Sequence, residues 1–292
     1  MLPHSLKTET EKTLTRYTGK KIEIENITVM HGGSINHALK LSAGGMSFFL
    51  KWNNTAASSL MFEAESRGIK LLRNSLSLNV PEVIATGTAG EHAYLLLEFI
   101  QPGIPSETFW EDFAVSLAGL HRHTAISFGL DHDNYIGSLP QHNTRHDSWV
   151  DFFAEERLEI QLRMAVDKGK IASSLARHFG TLFQKLHALI PAEEPSLIHG
   201  DLWNGNVIVS PSGQGCLIDP AVYYGSREMD IAMSRLFGGF PREFYDHYNR
   251  CFPLLPCWEE RMDICNLYPL LVHVNLFGGG YLQEIKNILK RF

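Results

Sequence analysis

The chain has little cysteine. Four residues in 292, Cys216, Cys251, Cys257 and Cys265, form no CxxC pair, and no histidine pair at finger spacing joins them. That excludes a disulfide scaffold and argues against structural zinc. The fourteen histidines include no H-E-x-x-H, and His121 and His123, two apart on a predicted helix, face different ways. Positive charge is also short: 26 Lys and Arg against 32 Asp and Glu give a net charge of −6. Such a chain has no general attraction to nucleic acid or to an anionic membrane. No apolar run approaches the ~18 residues of a membrane helix. The opening MLPHSLKTETEK mixes charges and lacks an apolar core, so it does not read as a signal peptide, and a cytoplasmic protein is expected. Repeats and low-complexity tracts are missing too. So are GxxxxGK[ST], GxGxxG and GxSxG, which removes the usual basis for a P-loop enzyme, a dinucleotide site or a serine hydrolase.

What is present is an ordinary globular composition, 44% hydrophobic and 20% charged, with a hydrophobic period that changes along the chain. Residues 5–18 read as an amphipathic helix. Residues 22–30 (IEIENITVM) and 46–51 (MSFFLK) read as strands, with Gly44–Gly45 turning into the second. A helix is expected at 57–72 and strands at 80–86 and 93–99. After QPGIPSE (101–107) the pattern turns helical, at about 108–123, 149–167 and 171–190. Between the first two of these lies a long aperiodic segment, 124–148, of a length that is usually functional. Short strands are expected at 197–199, 206–209 and 216–219, and 226–292 reads as mostly helical. The predicted class is α+β: a β-rich amino-terminal lobe (1–100), a linker (101–107) and a larger helical lobe (108–292).

The strongest chemical signal is HGDLWNGN at 199–206, followed by Ile218-Asp219-Pro220. Asp201, Asn206 and Asp219 sit at the ends of short β segments. One carboxylate, an amide oxygen five residues on and a second carboxylate thirteen further can assemble hard oxygen ligands for Mg²⁺ beside a separate base. Phosphoryl transfer needs that constellation. It also needs a lysine for the phosphates and an acid to hold it. Lys51 ends the strand MSFFLK. Glu65 shares a helical stripe with Met61, Ile69 and Leu72, whereas Glu63 lies on the side of Arg67 and Lys70. A carboxylate on an apolar stripe needs a partner, so the expected pair is Lys51 with Glu65. His31-Gly32-Gly33-Ser34-Ile35-Asn36 joins two predicted strands, and Gly32, Gly33 and Ser34 could cover phosphates with backbone N–H groups.

HGDLWNGN, LIDPAVYYGSREMDIAM and LFGGF resemble the fructosamine (ketosamine) kinase family of the protein-kinase-like superfamily. GGSIN, FFLK, MFEAE, FGLDHDNYIGSLPQ and SWVDFFAEERLEIQL follow the family's pattern in the same order. The resemblance covers nearly the whole chain. It implies a two-lobed kinase-like fold using ATP and Mg²⁺, and transfer of phosphate to the sugar 3-hydroxyl of small-molecule or protein-bound ketosamines, a deglycation repair. By position it implies Asp201 as catalytic base and Asn206 and Asp219 as metal ligands. It further implies Lys51 on the α/β-phosphates, Glu65 orienting it, and Glu98, Phe99 and Ile100 as the adenine hinge. Asp230 would hold the catalytic loop's backbone, and His199 would pack within that loop.

Trp203 stands where protein kinases commonly carry lysine, and its flat face suits a sugar ring. The 124–148 segment, with Asn134 and Gln141, is expected on the acceptor side. Unlike some family members, this chain has no cysteine in the phosphate-covering loop, so no redox switch is expected there. Two other readings stand beside this one. One is a kinase of the aminoglycoside or choline type. The other is a non-catalytic nucleotide-binding module, against which the full set Lys51, Glu65, Asp201, Asn206 and Asp219 argues.

Overall fold

The structure is a computed structural model that describes residues 2–30 and 36–292. The chain divides into two compact units, Met1–Ser106 with Ile208–Asp219, and Glu107–Val207 with Pro220–Phe292.

The first unit begins with α1 (His4–Thr18), β1 (Ile24–Val29), β2 (His37–Ala43), β3 (Met46–Asn53), α2 (Ser58–Asn74), β4 (Val83–Ala89) and β5 (His92–Glu98). The strands form one antiparallel sheet in the order β1-β2-β3-β5-β4. Leu39 and Leu41 of β2, Phe48 and Leu50 of β3 and Leu96 of β5 share a core with Leu6 and Leu14 of α1. Side chains alternate across a strand. If Leu50 turns to that core, its neighbour Lys51 turns to the opposite face, and α2 packs on β4 and β5. Phe62, Ile69 and Leu72 are the buried stripe of α2. The sequence reading found strands on either side of β2 but not β2 itself. HALKLSA alternates, with Leu39, Leu41 and Ala43 buried and Lys40 and Ser42 between them, the pattern of a half-buried strand, so the signal was present in the sequence.

The second unit opens with α3 (Phe109–His121) and the short hairpin β6 (Asn134–Ile136) and β7 (Leu139–Gln141). A helical run follows: α4 (Trp149–Phe152), a π-helical stretch Phe153–Glu159 and α5 (Ile160–Asp167). Then come α6 (Ser173–Leu189) and β8 (Ser196–Ile198). The chain then returns to the first unit at Ile208, with β9 (Val207–Val209) and β10 (Gly215–Leu217), which pair with each other, before the second unit resumes at Pro220. The rest is β11 (Tyr223–Gly225), α7 (Glu228–Leu236), α8 (Arg242–Cys251), α9 (Trp258–Phe277) and α10 (Leu282–Leu289). β11 pairs antiparallel with β8, Tyr223 opposite Ile198.

Segment 208–219, placed by sequence in the helical lobe, groups with the first unit. Backbone bonds explain it: Leu217 N donates to Asn79 O at 2.9 Å, Gly103 N to Val209 O at 2.8 Å and Ser106 N to Gly213 O at 3.2 Å. Among the described residues, no helix is long and apolar enough to cross a membrane. The four cysteines are free thiols. Burial pushes the Cys216 thiol up to about 12, so it is inert.

Candidate functional site

In the first unit, Lys51 Nζ donates to Glu65 Oε1 at 2.7 Å and to Asp219 Oδ1 at 2.6 Å. The lysine side chain is 9% exposed, Glu65 16% and Asp219 44%. Burial disfavours the ammonium, but the charges of Asp219 and Glu65 outweigh it and hold the Lys51 pKa above its ordinary value. Burial raises the Glu65 pKa, and the like charge of Asp219 adds to it against the pull of Lys51. One ammonium serving two carboxylates leaves the cluster one negative charge in excess, which favours an added cation. Asp219 has a φ of 54°, a left-handed conformation that aspartate tolerates better than most residues. Glu63, the other helix carboxylate, is exposed.

β5 ends at Glu98, whose N donates to Glu82 O at 2.9 Å while its Oε2 accepts from Glu82 N at 3.1 Å. Phe99 lies under Lys40, with Nζ 4.4 Å from the ring centroid, and Ile100 is half-buried. Gly32, Gly33 and Ser34 lie outside the described residues.

In the second unit, the segment after β8 carries His199, Gly200 and Asp201. Asp230 of α7, fully buried, accepts from His199 N at 2.7 Å and Gly200 N at 2.9 Å. His121 Nε2 reaches the same carboxylate at 3.1 Å, and its Nδ1 meets Tyr248 OH at 2.7 Å. Burial works against the Asp230 anion. The His121 bond, the charges of His121 and His199 and the Gly200 N–H more than offset it, so its pKa lies below the usual aspartate value. Gly200 has a φ of +81°, and a Cβ there would sit 2.1 Å from Ala221 O. Only glycine fits that approach. Ala221 N in turn donates to His199 O at 2.9 Å.

Asn206, buried at the end of a 3₁₀ turn, donates through Nδ2 to Asp201 O at 2.8 Å and to Asp201 Oδ2 at 2.9 Å. Those bonds fix the Asp201 carboxylate plane and commit the amide nitrogen. The carbonyl oxygen is then the atom Asn206 can offer a hard cation. Trp203 is 36% exposed. Its indole lies over Gly205, where a Cβ would come within 2.3 Å of the ring, so it is no core residue beneath the loop.

Asn134 and Gln141 do not stand ready for a ligand. Both are buried, and they sit opposite each other in the β6–β7 hairpin. Gln141 Nε2 donates to Asn134 Oδ1 at 2.7 Å and to Ala221 O at 3.1 Å, and its Oε1 accepts from Tyr268 OH at 2.7 Å. Asn134 Nδ2 donates to Val222 O at 2.7 Å. The expected substrate contacts are therefore corrected to internal props: the two amides hold the carbonyls of Ala221 and Val222. Asn143 continues the network to Arg157, whose Nη2 donates to Asn143 Oδ1 at 2.7 Å.

Arg157, on the π-helical stretch, is fully buried between the rings of Tyr223 and Phe152, 4.0 and 4.4 Å from their centroids. The sequence reading missed it. The available signal was its place four residues after Phe153 and four before Gln161, on an inward stripe. Gln141→Leu would strip the bonds from Ala221 O, Tyr268 OH and Asn134 Oδ1 together. At ~1–3 kcal/mol for a buried group left unpaired, we expect roughly 3 kcal/mol of lost stability, read as a lower urea midpoint. An unchanged midpoint would mean that the network carries no load.

Residues 6–292 match a family described as fructosamine kinase. A protein of Vibrio cholerae named as a probable ketoamine kinase is 40% identical over 281 residues, 95% of this chain and 96% of its own length. The Arabidopsis thaliana "Protein-ribulosamine 3-kinase, chloroplastic" is 36% identical over 279 residues, 93% of this chain and 83% of its own. A solved structure named for fructosamine-3-kinase, from Haemophilus somnus 129PT, superposes with a TM-score of 0.87 at 30% identity, covering 97% of this chain and 96% of that one. The aminoglycoside phosphotransferase APH(4)-Ia reaches a TM-score of 0.63 at 16% identity, over 97% of this chain and 98% of that one. That similarity is one of fold.

Proposed function

The chain belongs to the fructosamine kinase family, and on that premise we propose that it is an ATP-dependent kinase of ketosamines, acting on the sugar 3-hydroxyl. The observation that carries the reading is the buried Lys51, held by Glu65 and Asp219 at 2.7 and 2.6 Å, in a chain that also keeps the Asp201–Asn206 pair. An ammonium has three N–H bonds. Two go to the carboxylates, and the third is the one an α- or β-phosphate oxygen would take. Glu65 keeps the lysine pointed, and Glu98–Ile100 offers backbone groups to adenine.

Asp219 and Asn206 are the proposed Mg²⁺ ligands. A carboxylate oxygen and an amide oxygen suit a hard cation that keeps several waters and phosphate oxygens, so the donor set fits. When bound, the cation would neutralise charge on the transferring phosphoryl group. Asp201, its plane fixed by Asn206, accepts the proton of the attacking hydroxyl. Asp230 holds the amides of His199 and Gly200 and so sets where Asp201 stands. The work of the protein is positioning and preorganised charge rather than covalent chemistry.

Trp203 offers its exposed face to the sugar. Trp203→Ala should raise the ketosamine KM about tenfold, since an aromatic contact is worth roughly 0.5–1.5 kcal/mol beyond its area. An unchanged KM would remove that role. The reading as a whole is tested by ADP release with Mg·ATP over fructoselysine, ribuloselysine, a glycated protein, choline and an aminoglycoside. Turnover confined to the ketosamines is expected. Turnover of choline or the aminoglycoside instead, or nucleotide binding with no turnover at all, would overturn it.

A further inference from the structure

Trp203 is one end of a connected set of rings. It meets Phe237 edge-on with centroids 6.1 Å apart. Phe237 lies 4.7 Å from His273 and 6.3 Å from Tyr281. His273 is 4.9 Å from Tyr281 and 5.5 Å from Phe277. The five come from separated places in the sequence: the Asp201 segment, the end of α7, the last turns of α9 and the 3₁₀ turn Gly279–Tyr281. None is a core residue. Phe237, His273 and Tyr281 are half-buried, and Trp203 and Phe277 are 36% and 57% exposed. Trp203 is only two residues from Asp201. Partly exposed rings in mutual contact, beginning two residues from Asp201, are suited to serve as a binding face.

The chemistry of these rings selects what they bind. Aromatic faces are electron-rich and attract cations. His273 Nδ1 lies 2.7 Å from Pro269 O. A carbonyl can only accept, so Nδ1 carries the hydrogen, and in the neutral ring Nε2 is an acceptor. Burial lowers the His273 pKa, which keeps that neutral form at pH 7. Lys170 Nζ donates to the carbonyls of Val274 and Asn275 at the carboxyl end of α9, at 3.1 and 2.7 Å, and neutralises that helix end, so the attraction for a cation rests on the ring faces and on His273 Nε2.

We propose that Phe237, His273, Phe277 and Tyr281 form the subsite for the amine arm of the acceptor, binding the protonated secondary amine and the first methylenes of the chain it carries. This rests on the reading of the protein as a ketosamine kinase. Trp203 takes the sugar, and the nitrogen on C1 then lies against the neighbouring rings, with His273 Nε2 able to accept one of its hydrogens. The subsite explains how a kinase could prefer a ketosamine to the plain ketose: the sugar alone leaves this face unfilled.

The test compares fructoselysine with an analogue whose nitrogen is acetylated, so that the chain is kept and the charge is lost. The wild-type protein is set beside Phe277→Leu/Tyr281→Leu, which keeps apolar bulk and removes the π faces. His273→Phe, which keeps the ring and removes the acceptor, is a second variant. The wild type should prefer the ammonium sugar at least tenfold in kcat/KM, and the double variant should lose most of that preference. Equal loss for both sugars, or a wild type indifferent to the charge, would overturn the subsite. Calorimetric binding of the same two sugars decides it independently of turnover. Weaker binding of the ammonium sugar alone in the variants supports the subsite, and unchanged binding overturns it. A wild type that binds with this preference but phosphorylates neither sugar would instead sink the kinase reading.

Discussion

Asp201→Asn should lower kcat by about 10²–10⁴-fold, the usual contribution of a positioned general base, while nucleotide still binds. The substitution is nearly isosteric. The Asn206 amide can still donate to the new carbonyl oxygen, so the loop keeps its shape while losing the proposed base. The substitution leaves Lys51, Glu65 and Asp219, the residues proposed to hold the nucleotide and its metal, unchanged. ADP release with saturating ketosamine measures the first effect, and calorimetric titration with an ATP analogue measures the second. Full turnover in the variant would sink the assignment of the base. Lost nucleotide binding would mean that Asp201 supports the fold of the site rather than the chemistry.

Asp230→Ala should be the most destabilising single change near the site. It removes the acceptor of two backbone amides and of His121, all inside the protein. Leaving three buried donors without their acceptor costs about 1–3 kcal/mol each, together a large share of the ~5–15 kcal/mol that holds a domain together. The urea midpoint should fall with little change in slope, and activity should be lost in proportion to the unfolded fraction and beyond it. The same carboxylate gives the wild type a pH signature. Its folded pKa lies below the usual value, so it contributes stability above its unfolded pKa of about 3.9 and loses it as pH falls through the folded value. The acid limb of the stability curve should therefore be steeper in the wild type than in Asp230→Ala. Matching limbs and an unchanged midpoint would mean that Asp230 holds nothing.

Much of this was readable in the sequence where local period and chemistry agreed. A period of two sends Lys51 away from Leu50, and a period of 3.6 puts Glu65 on the stripe of Ile69 and Leu72 while leaving Glu63 outside. Both statements are local, and the 2.7 Å pair follows from them. What resisted reading was decided far along the chain. Asn134 and Gln141 are polar residues in an aperiodic segment, a pattern that also describes a ligand-facing loop. Their partners, Ala221, Val222 and Tyr268, lie between 80 and 127 positions away. Segment 208–219 joins the first unit through Asn79, Gly103 and Ser106, which no composition shift announces. Arg157 looked like one charge among several in FAEERLE, yet it is the one turned inward.

The Lys51–Asp219 contact spans 168 positions. During synthesis at about 5–20 residues per second, Lys51 precedes its second partner by roughly 10–30 s. Glu65, fourteen positions away, is available almost at once. The nascent sheet can thus bury its lysine as a neutral pair early and receive the second carboxylate only after a further hundred residues, 107–207, have left the ribosome. A gene shortened at the linker would encode the sheet and its lysine but never the aspartate that completes the cluster. Cut at the linker, the amino-terminal unit therefore lacks segment 208–219 and with it the second carboxylate on Lys51. It is a unit whose last piece arrives late, and only the whole chain can finish it.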